Sequence, residues 1–318
     1  MRALLTGASS FTGFWFAAAL AREGFELTAT CRRRLASYEG LARSRLDAMP
    51  AIGRLVEGVS DDGSSLTALL HDSPRVDLLC LHGATVGDHR AQDFDALAAL
   101  AADTSGLDQL LDMFTKQGGR AVLVTGSIFE ADAGRGTAPR GAFNHYGLAK
   151  TLSWHTVRFA VERRGLTLGK LVIANPFGPL EKPGLTASLA GAWHRGEVPE
   201  IQQPRLVRDF VPVDGLALAY ARFATRLIDV EGAHQLTPSS FAEPTALFVD
   251  RFASSLRTHL GIDCKFTLAE RPKPTQEPLV RIGTDPLDGI LSDWDPERSW
   301  EKFSGWYAGA QTVWPSLN

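Results

Sequence analysis

Arg2-Ala3-Leu4-Leu5-Thr6-Gly7-Ala8-Ser9-Ser10-Phe11-Thr12-Gly13 decides how this chain is read. A short apolar run leads into a turn of small residues, and Phe11 to Arg22 then carries apolar residues at helical spacing as far as Gly24, a residue type that ends helices. Strand, glycine turn and helix in that order make a cradle for a pyrophosphate. Small residues let the backbone approach, and the helix start supplies unpaired N–H groups and a partial positive charge.

Further apolar runs follow at Glu26–Cys31, Arg54–Glu57, Val76–Leu81, Ala121–Val124 and Leu171–Ala174, none with the period-2 alternation of a half-exposed strand. Helical periods lie between them, around Ser65–His71, Asp93–Lys116 and Tyr146–Arg164. Strands buried on both faces and alternating with helices predict an α/β fold with a Rossmann-like doubly wound parallel sheet. Prolines at 183, 199, 204, 212, 238 and 244 then interrupt the alternation. The division expected is a dinucleotide-binding domain over 1–179 and a smaller mixed C-terminal substrate domain over 180–318, some of whose segments return to the main sheet. Trp294, Trp300, Trp306 and Trp314 have the spacing of an amphipathic helix packed on the body.

The composition narrows the partners. With 33 Lys+Arg against 36 Asp+Glu, the net charge of −3 gives no footprint for nucleic acid or an anionic membrane. At 44% hydrophobic and 22% charged residues, the chain has a globular composition. Cys31, Cys80 and Cys264 are too far apart for a zinc knuckle or a disulfide framework, and no apolar stretch reaches about 18 residues. Together with a start that lacks a secretory pattern, this predicts a cytoplasmic protein. His82 and His89 lack a third ligand at a useful spacing, so no metal is expected.

Gly7, Ser9, Ser10, Phe11, Thr12 and Gly13 are therefore expected at a dinucleotide, as are Leu81, His82 and Gly83 after the fourth strand. The second strand ends in Thr30-Cys31-Arg32-Arg33-Arg34, without the acid that would hydrogen-bond the ribose hydroxyls of NAD. An arginine fork suits a 2′-phosphate, so Arg32 predicts NADP, with NAD as the alternative. Tyr146-Gly147-Leu148-Ala149-Lys150 puts a phenol and an ammonium one helical turn apart, where the cation favours the phenolate. Thr125-Gly126-Ser127, past a strand, offers a hydroxyl to a carbonyl oxygen on which charge develops.

In combination these residues resemble the extended branch of the short-chain dehydrogenase/reductase superfamily, the NAD(P)-dependent epimerase/dehydratase family. Two more segments carry the likeness: Asn175-Pro176-Phe177-Gly178-Pro179 looks like the branch's N-x-[YF]-G-P, and Arg208-Asp209-Phe210-Val211-Pro212-Val213-Asp214 like its R-D-[FY]-[VI]-H-V-x-D. The resemblance implies a catalytic set in which Tyr146 is the acid/base, Lys150 lowers its pKa and holds the nicotinamide ribose, and Ser127 polarises the substrate. It also implies that Asn175 and Arg208 contact the phosphates of a nucleotide-linked sugar, that Pro176 borders the cofactor, and that the protein dimerises through the Asp93–Lys116 and Tyr146–Arg164 helices.

The chain departs from the family pattern in several places. Ser10 stands at the middle glycine, Asp103 at a position often held by Asn, and Pro212 where His is usual. Counting forward along the strand favours Ser127 as the polarising hydroxyl, while counting back from Phe129 favours Thr125. The Asp-Glu pair that usually follows the catalytic Thr of the dehydratases is absent, leaving an epimerase or a ketoreductase acting on a nucleotide-linked sugar. A reductase of a small ketone or aldehyde and a non-catalytic NADP-binding regulator are the other readings.

Overall fold

In a computed structural model the described residues are 1–87, 91, 93–275 and 277–309. The chain forms two compact units, Met1–Ala133 with Gly141–Ile173 and Ala217–Thr237, and Gly134–Arg140 with Ala174–Leu216 and Pro238–Asn318. Pro179 lies inside the second unit, and the residues from 217 to 237 return to the first.

The first unit is built on seven parallel strands: β1 (Arg2–Leu5), β2 (Glu26–Cys31), β3 (Arg54–Glu57), β4 (Leu78–Leu81), β5 (Ala121–Ser127), β6 (Thr167–Ile173) and β7 (Ala233–Leu236). Their order is β7-β6-β5-β4-β1-β2-β3, every neighbouring pair parallel. The direction of winding reverses beside β1, so the carboxyl ends of β1 and β4 flank the crevice where ligands of doubly wound sheets bind. β5 shows why alternation was missing from the sequence: Ala121 to Gly126 are all buried. Leu4, Leu79, Val122, Leu111, Phe114 and Leu168 belong to one core beneath the helices.

The helix expected over Asp93–Lys116 is two helices, Ala96–Thr104 and Leu107–Lys116. The break falls at Gly106, whose φ of +66° favours glycine, and where its backbone abuts that of Gly63 too closely for a Cβ on Gly63. Gly63 N–H donates to Ser105 O across this contact (2.6 Å). The Tyr146 helix spans His145–Glu162, capped by Asn144, and a helix over Gly40–Ala48 was not read in the sequence.

In the second unit, Val207–Pro212 pairs antiparallel with Phe241–Pro244 and parallel with Val280–Ile282 and Asn175–Phe177. Phe177, Phe210, Phe248, Phe252, Trp300 and Phe303 form its aromatic core. Trp300 and Trp306 lie on the helix Pro296–Tyr307, Trp300 buried and Trp306 half-buried, but Trp294 precedes that helix, and Trp314 lies outside the described residues, as does His89.

Candidate active site

The glycine turn joins β1 to the helix Phe11–Arg22. Gly7 has φ +77°, and a Cβ there would lie 2.9 Å from Gly83 Cα, so the turns after β1 and β4 touch backbone to backbone. Thr6 Oγ1 fixes this contact by accepting from the N–H groups of His82 (3.0 Å) and Gly83 (2.7 Å). Ser10, at the middle-glycine position, is the helix N-cap: its Oγ accepts from Gly13 N–H at 3.0 Å. The backbone N–H groups of Phe11 and Thr12 have no partner among the described residues and are the donors left for an anion.

His82 explains the serine. Its Nε2 is 2.9 Å from Ser10 Oγ and 3.3 Å from Thr12 Oγ1, its Nδ1 is 3.0 Å from Thr125 Oγ1, and its ring packs edge-on against Phe16. A Cβ on Gly13 would stand 2.8 Å from the ring. Burial, aided by the charge of Lys150, pushes the imidazole down to about 3, so His82 is a neutral strut between the turn and β5.

Arg32 Nε donates to Asp61 Oδ2 at 2.5 Å, and its guanidinium also bonds the Ala84 carbonyl. The arginine read as a phosphate ligand thus already faces a carboxylate. Asp61 is half-buried, its buried Oδ1 has no partner among the described residues, and desolvation pushes its carboxyl up despite Arg32. Cys31, the last residue of β2, is buried. Arg45 was not read in the sequence; it is 5% exposed, donates to the Ser9 carbonyl at 2.9 Å, and burial lowers its pKa to about 10. Its only signal was a place 13 residues past Arg32 in sequence, which says nothing about a folded contact.

Ser127 and Tyr146 meet: the serine hydroxyl hydrogen-bonds the phenol, and also accepts from Phe129 N–H at 3.2 Å. Phe94 and Phe129 pack edge-on against the Tyr146 ring, with centroids 5.9 and 6.2 Å away. Thr125 faces His82 instead. Lys150 Nζ donates to the Thr125 carbonyl at 2.8 Å. Burial drives the phenol well above its ordinary range, with Glu130 and Asp103 pushing the same way and the Ser127 hydrogen bond opposing them. The sequence predicts a phenol lowered by Lys150; in the chain alone, burial wins and the phenol is protonated. A cavity lined by Asp61, Gly83, Asp103, Thr125, Lys150 and Lys170, among others, runs through the same unit.

Asn175, Pro176 and Arg208 belong to the second unit. The two motifs identified there run side by side, Asn175, Pro176 and Phe177 in register with Phe210, Val211 and Pro212. Asn175 Nδ2 donates to the Asp209 carbonyl at 3.1 Å. Arg208 is buried, with NH2 2.8 Å from Glu277 Oε2 and NH1 2.9 Å from the Val207 carbonyl. Arg281, fully buried, stands beside Arg208 in register on the neighbouring strand and was not read in the sequence, because nothing local links the two positions. Among the described residues no group of His, Cys, Asp and Glu could hold a metal ion, and no helix is long and apolar enough to cross a membrane.

No curated protein matches the chain in sequence. Solved structures match it over almost their full length. UDP-glucose 4-epimerase of Thermotoga maritima, solved with UDP-glucose, has a TM-score of 0.74 at 18% identity, covering 98% of this chain and 99% of its own. UDP-glucuronic acid 4-epimerase of Bacillus cereus, a tyrosine-to-phenylalanine mutant solved with NAD and a fluorinated UDP-sugar, gives 0.74 at 14%, with 98% and 100% covered. The dTDP-glucose 4,6-dehydratase of Streptomyces venezuelae, with NAD bound, gives 0.73 at 18%, with both chains fully covered. At these identities the likeness establishes a shared fold. The sequence profile of the NAD dependent epimerase/dehydratase family matches residues 3–234, most of the chain, and the protein belongs to that family of enzymes.

Proposed function

We propose that the protein transfers hydride at a carbonyl or hydroxyl carbon of a nucleotide-linked sugar, as an epimerase or a ketoreductase, with Ser127, Tyr146 and Lys150 as its catalytic residues. The observation that carries this reading is the Ser127–Tyr146 hydrogen bond, formed in the same unit as the glycine turn, with Lys150 one helical turn from the phenol. A bound nicotinamide supplies or accepts the hydride. In reduction the neutral phenol gives its proton to the oxygen of the reacting carbon while Ser127 donates a hydrogen bond to that oxygen; in oxidation Tyr146 takes the proton back. Lys150, cationic and anchored on the Thr125 carbonyl, favours the phenolate left after each proton transfer and has donors for a ribose.

Gly7, Ser9, Ser10, Phe11, Thr12 and Gly13 would hold the pyrophosphate, Leu81, His82 and Gly83 would border the cofactor at the end of β4, and Pro176 would border it too. The fit rests on the paired glycine turns and the open N–H groups of Phe11 and Thr12. Arg32 supports NADP, since no acid ends β2, whereas the Arg32–Asp61 ion pair favours NAD by offsetting the cation a 2′-phosphate would need. Asn175 and Arg208 are proposed at the nucleotide phosphates. Glu277 on Arg208 favours a second reading, a reductase of a small ketone or aldehyde without a phosphate handle. Exposed Leu97, Leu148 and Phe159 on the helices Ala96–Thr104 and His145–Glu162 support a homodimer through them.

The test is NADPH oxidation and epimer formation against UDP-, dTDP-, GDP- and CDP-linked sugars and ketosugars, with simple ketones and aldehydes beside them. Turnover confined to the sugar nucleotides supports the reading; turnover of simple carbonyls alone replaces it with the second.

A further inference from the structure

Behind the hydroxyl pair lies an ion pair that no motif of the sequence announces. Lys170 Nζ, on β6, is 2.5 Å from Glu130 Oε2, just past β5, and the two residues are 4% and 1% exposed. The other carboxylate oxygen, Oε1, accepts from the Ser127 N–H at 2.7 Å, and Glu130 N–H returns a bond to the Ser127 carbonyl at 3.0 Å. Glu130 thus grips the residue whose hydroxyl meets Tyr146.

The pair has a built seat. Lys170 Nζ lies 4.6 Å from the centroid of the Trp154 ring, a cation–π contact. Trp154 follows Tyr146 and Lys150 at spacings of four on one helix, so a single helical stripe carries the phenol, the ammonium and the ring over Lys170. Gly126 completes the seat: a Cβ there would lie 2.6 Å from Lys170 Cε and 3.0 Å from Glu130 Oε1. The glycine in Thr125-Gly126-Ser127 is the space the ion pair occupies.

Burying two charges is costly, and well-packed apolar residues often do as well or better for stability. We propose that Glu130 and Lys170 are positioning residues for the Ser127–Tyr146 pair: the carboxylate fixes the Ser127 backbone and turns a negative charge toward the phenol, and the ammonium holds the carboxylate in place. This rests on the reading of Ser127 and Tyr146 as the reacting hydroxyls. The charged groups acting on the phenol are Glu130 and Asp103; Lys150 stands one turn along the same helix, and Lys170 is paired to Glu130. Glu130 disfavours the phenolate, so it keeps Tyr146 a proton donor, and Lys170 limits that effect by neutralising the carboxylate.

The test needs no substrate. The chain has four tyrosines, so 13C at the tyrosine ζ carbon gives four NMR signals, and loss of one in Tyr146→Phe assigns it. Wild type, Glu130→Gln, Lys170→Met and the double variant are compared at the highest pH at which all remain folded. Glu130→Gln and the double variant are expected to raise the phenolate fraction of Tyr146 at least about threefold, a shift of about half a pH unit, while Lys170→Met does not raise it. Mere loosening of the site would raise it in all three. An unchanged fraction in the double variant, or an increase in Lys170→Met equal to that in Glu130→Gln, overturns the proposal. The double variant, neutral and similar in volume, carries the test if a single variant fails to fold. Full turnover by Tyr146→Phe would instead remove the reaction assigned to these hydroxyls and leave the titration result standing.

Discussion

Two hydroxyls two residues apart compete for one role, and the structure separates what each loss should do. Ser127→Ala removes the hydroxyl bonded to the Tyr146 phenol and leaves the Glu130 bond to the backbone N–H in place. Losing one preorganised donor at an oxygen that gains charge costs about 2.7–4 kcal/mol, or about a hundredfold to a thousandfold in kcat. Thr125→Val preserves shape and removes the partner of His82 Nδ1, 3.0 Å away. A buried polar atom left unpaired costs about 1–3 kcal/mol of stability, which lowers the unfolding midpoint by up to about 6 °C. Lys150 still reaches the Thr125 backbone carbonyl, so kcat should stay within about fivefold of wild type. Steady-state kinetics and thermal unfolding on the same preparations measure both. A folded Thr125→Val that loses a hundredfold in kcat while Ser127→Ala stays active would refute the assignment of roles.

For the cofactor, Arg32→Ala is expected to weaken NADPH binding about tenfold to a hundredfold and NADH binding little, read by cofactor fluorescence; equal losses for both remove Arg32 from 2′-phosphate recognition. Asp61→Asn takes away the carboxylate that opposes a phosphate at Arg32, so the preference for NADPH should rise. Arg208→Ala should raise KM for a sugar nucleotide about tenfold or more and leave that for a simple aldehyde unchanged; because Glu277 is 38% exposed, it can be rehydrated and the fold should tolerate the change. Burial raises Glu181 from 4.5 to about 7 against its hydrogen bonds from Thr186 and Tyr307. Between pH 4.5 and 7 the unfolded chain releases a proton that the folded one keeps, so stability falls as pH rises and the full cost, about 3 kcal/mol, holds above pH 7. Glu181→Gln should flatten that fall in melting temperature, and an unchanged pH dependence would show that Glu181 titrates normally.

Local sequence carried much of the fold. β1, the glycine turn and the first helix could be read because their geometry is set by adjacent residues: small ones where backbones touch, and a serine cap at Ser10. β1, β2, β4, β5 and β6 were visible as apolar runs because their residues are mostly buried, whereas β7, whose four residues alternate between exposed and half-buried, was not read. The break at Gly106 was hidden because its partner, Gly63, is 43 residues away, and a helical period says nothing of what it abuts. The unit boundary eluded composition because Asn175–Phe177 joins the second sheet by pairing with Phe210–Pro212. In the site, Tyr146 and Lys150 are legible as a turn of helix, whereas the choice between Thr125 and Ser127 depends on which way β5 turns its side chains. Glu130 and Lys170 lie 40 positions apart and meet only through sheet pairing.

In the proposed reaction Tyr146 moves the proton in a hydride transfer carried out on a dinucleotide bound at the glycine turn. The decisive variant is Tyr146→Phe, with NADPH binding and turnover of the best sugar nucleotide measured on one preparation. Binding should stay within about threefold of wild type while turnover falls by about a hundredfold or more, the range expected for loss of a general acid. Wild-type turnover in that variant would remove Tyr146 from the proton transfer.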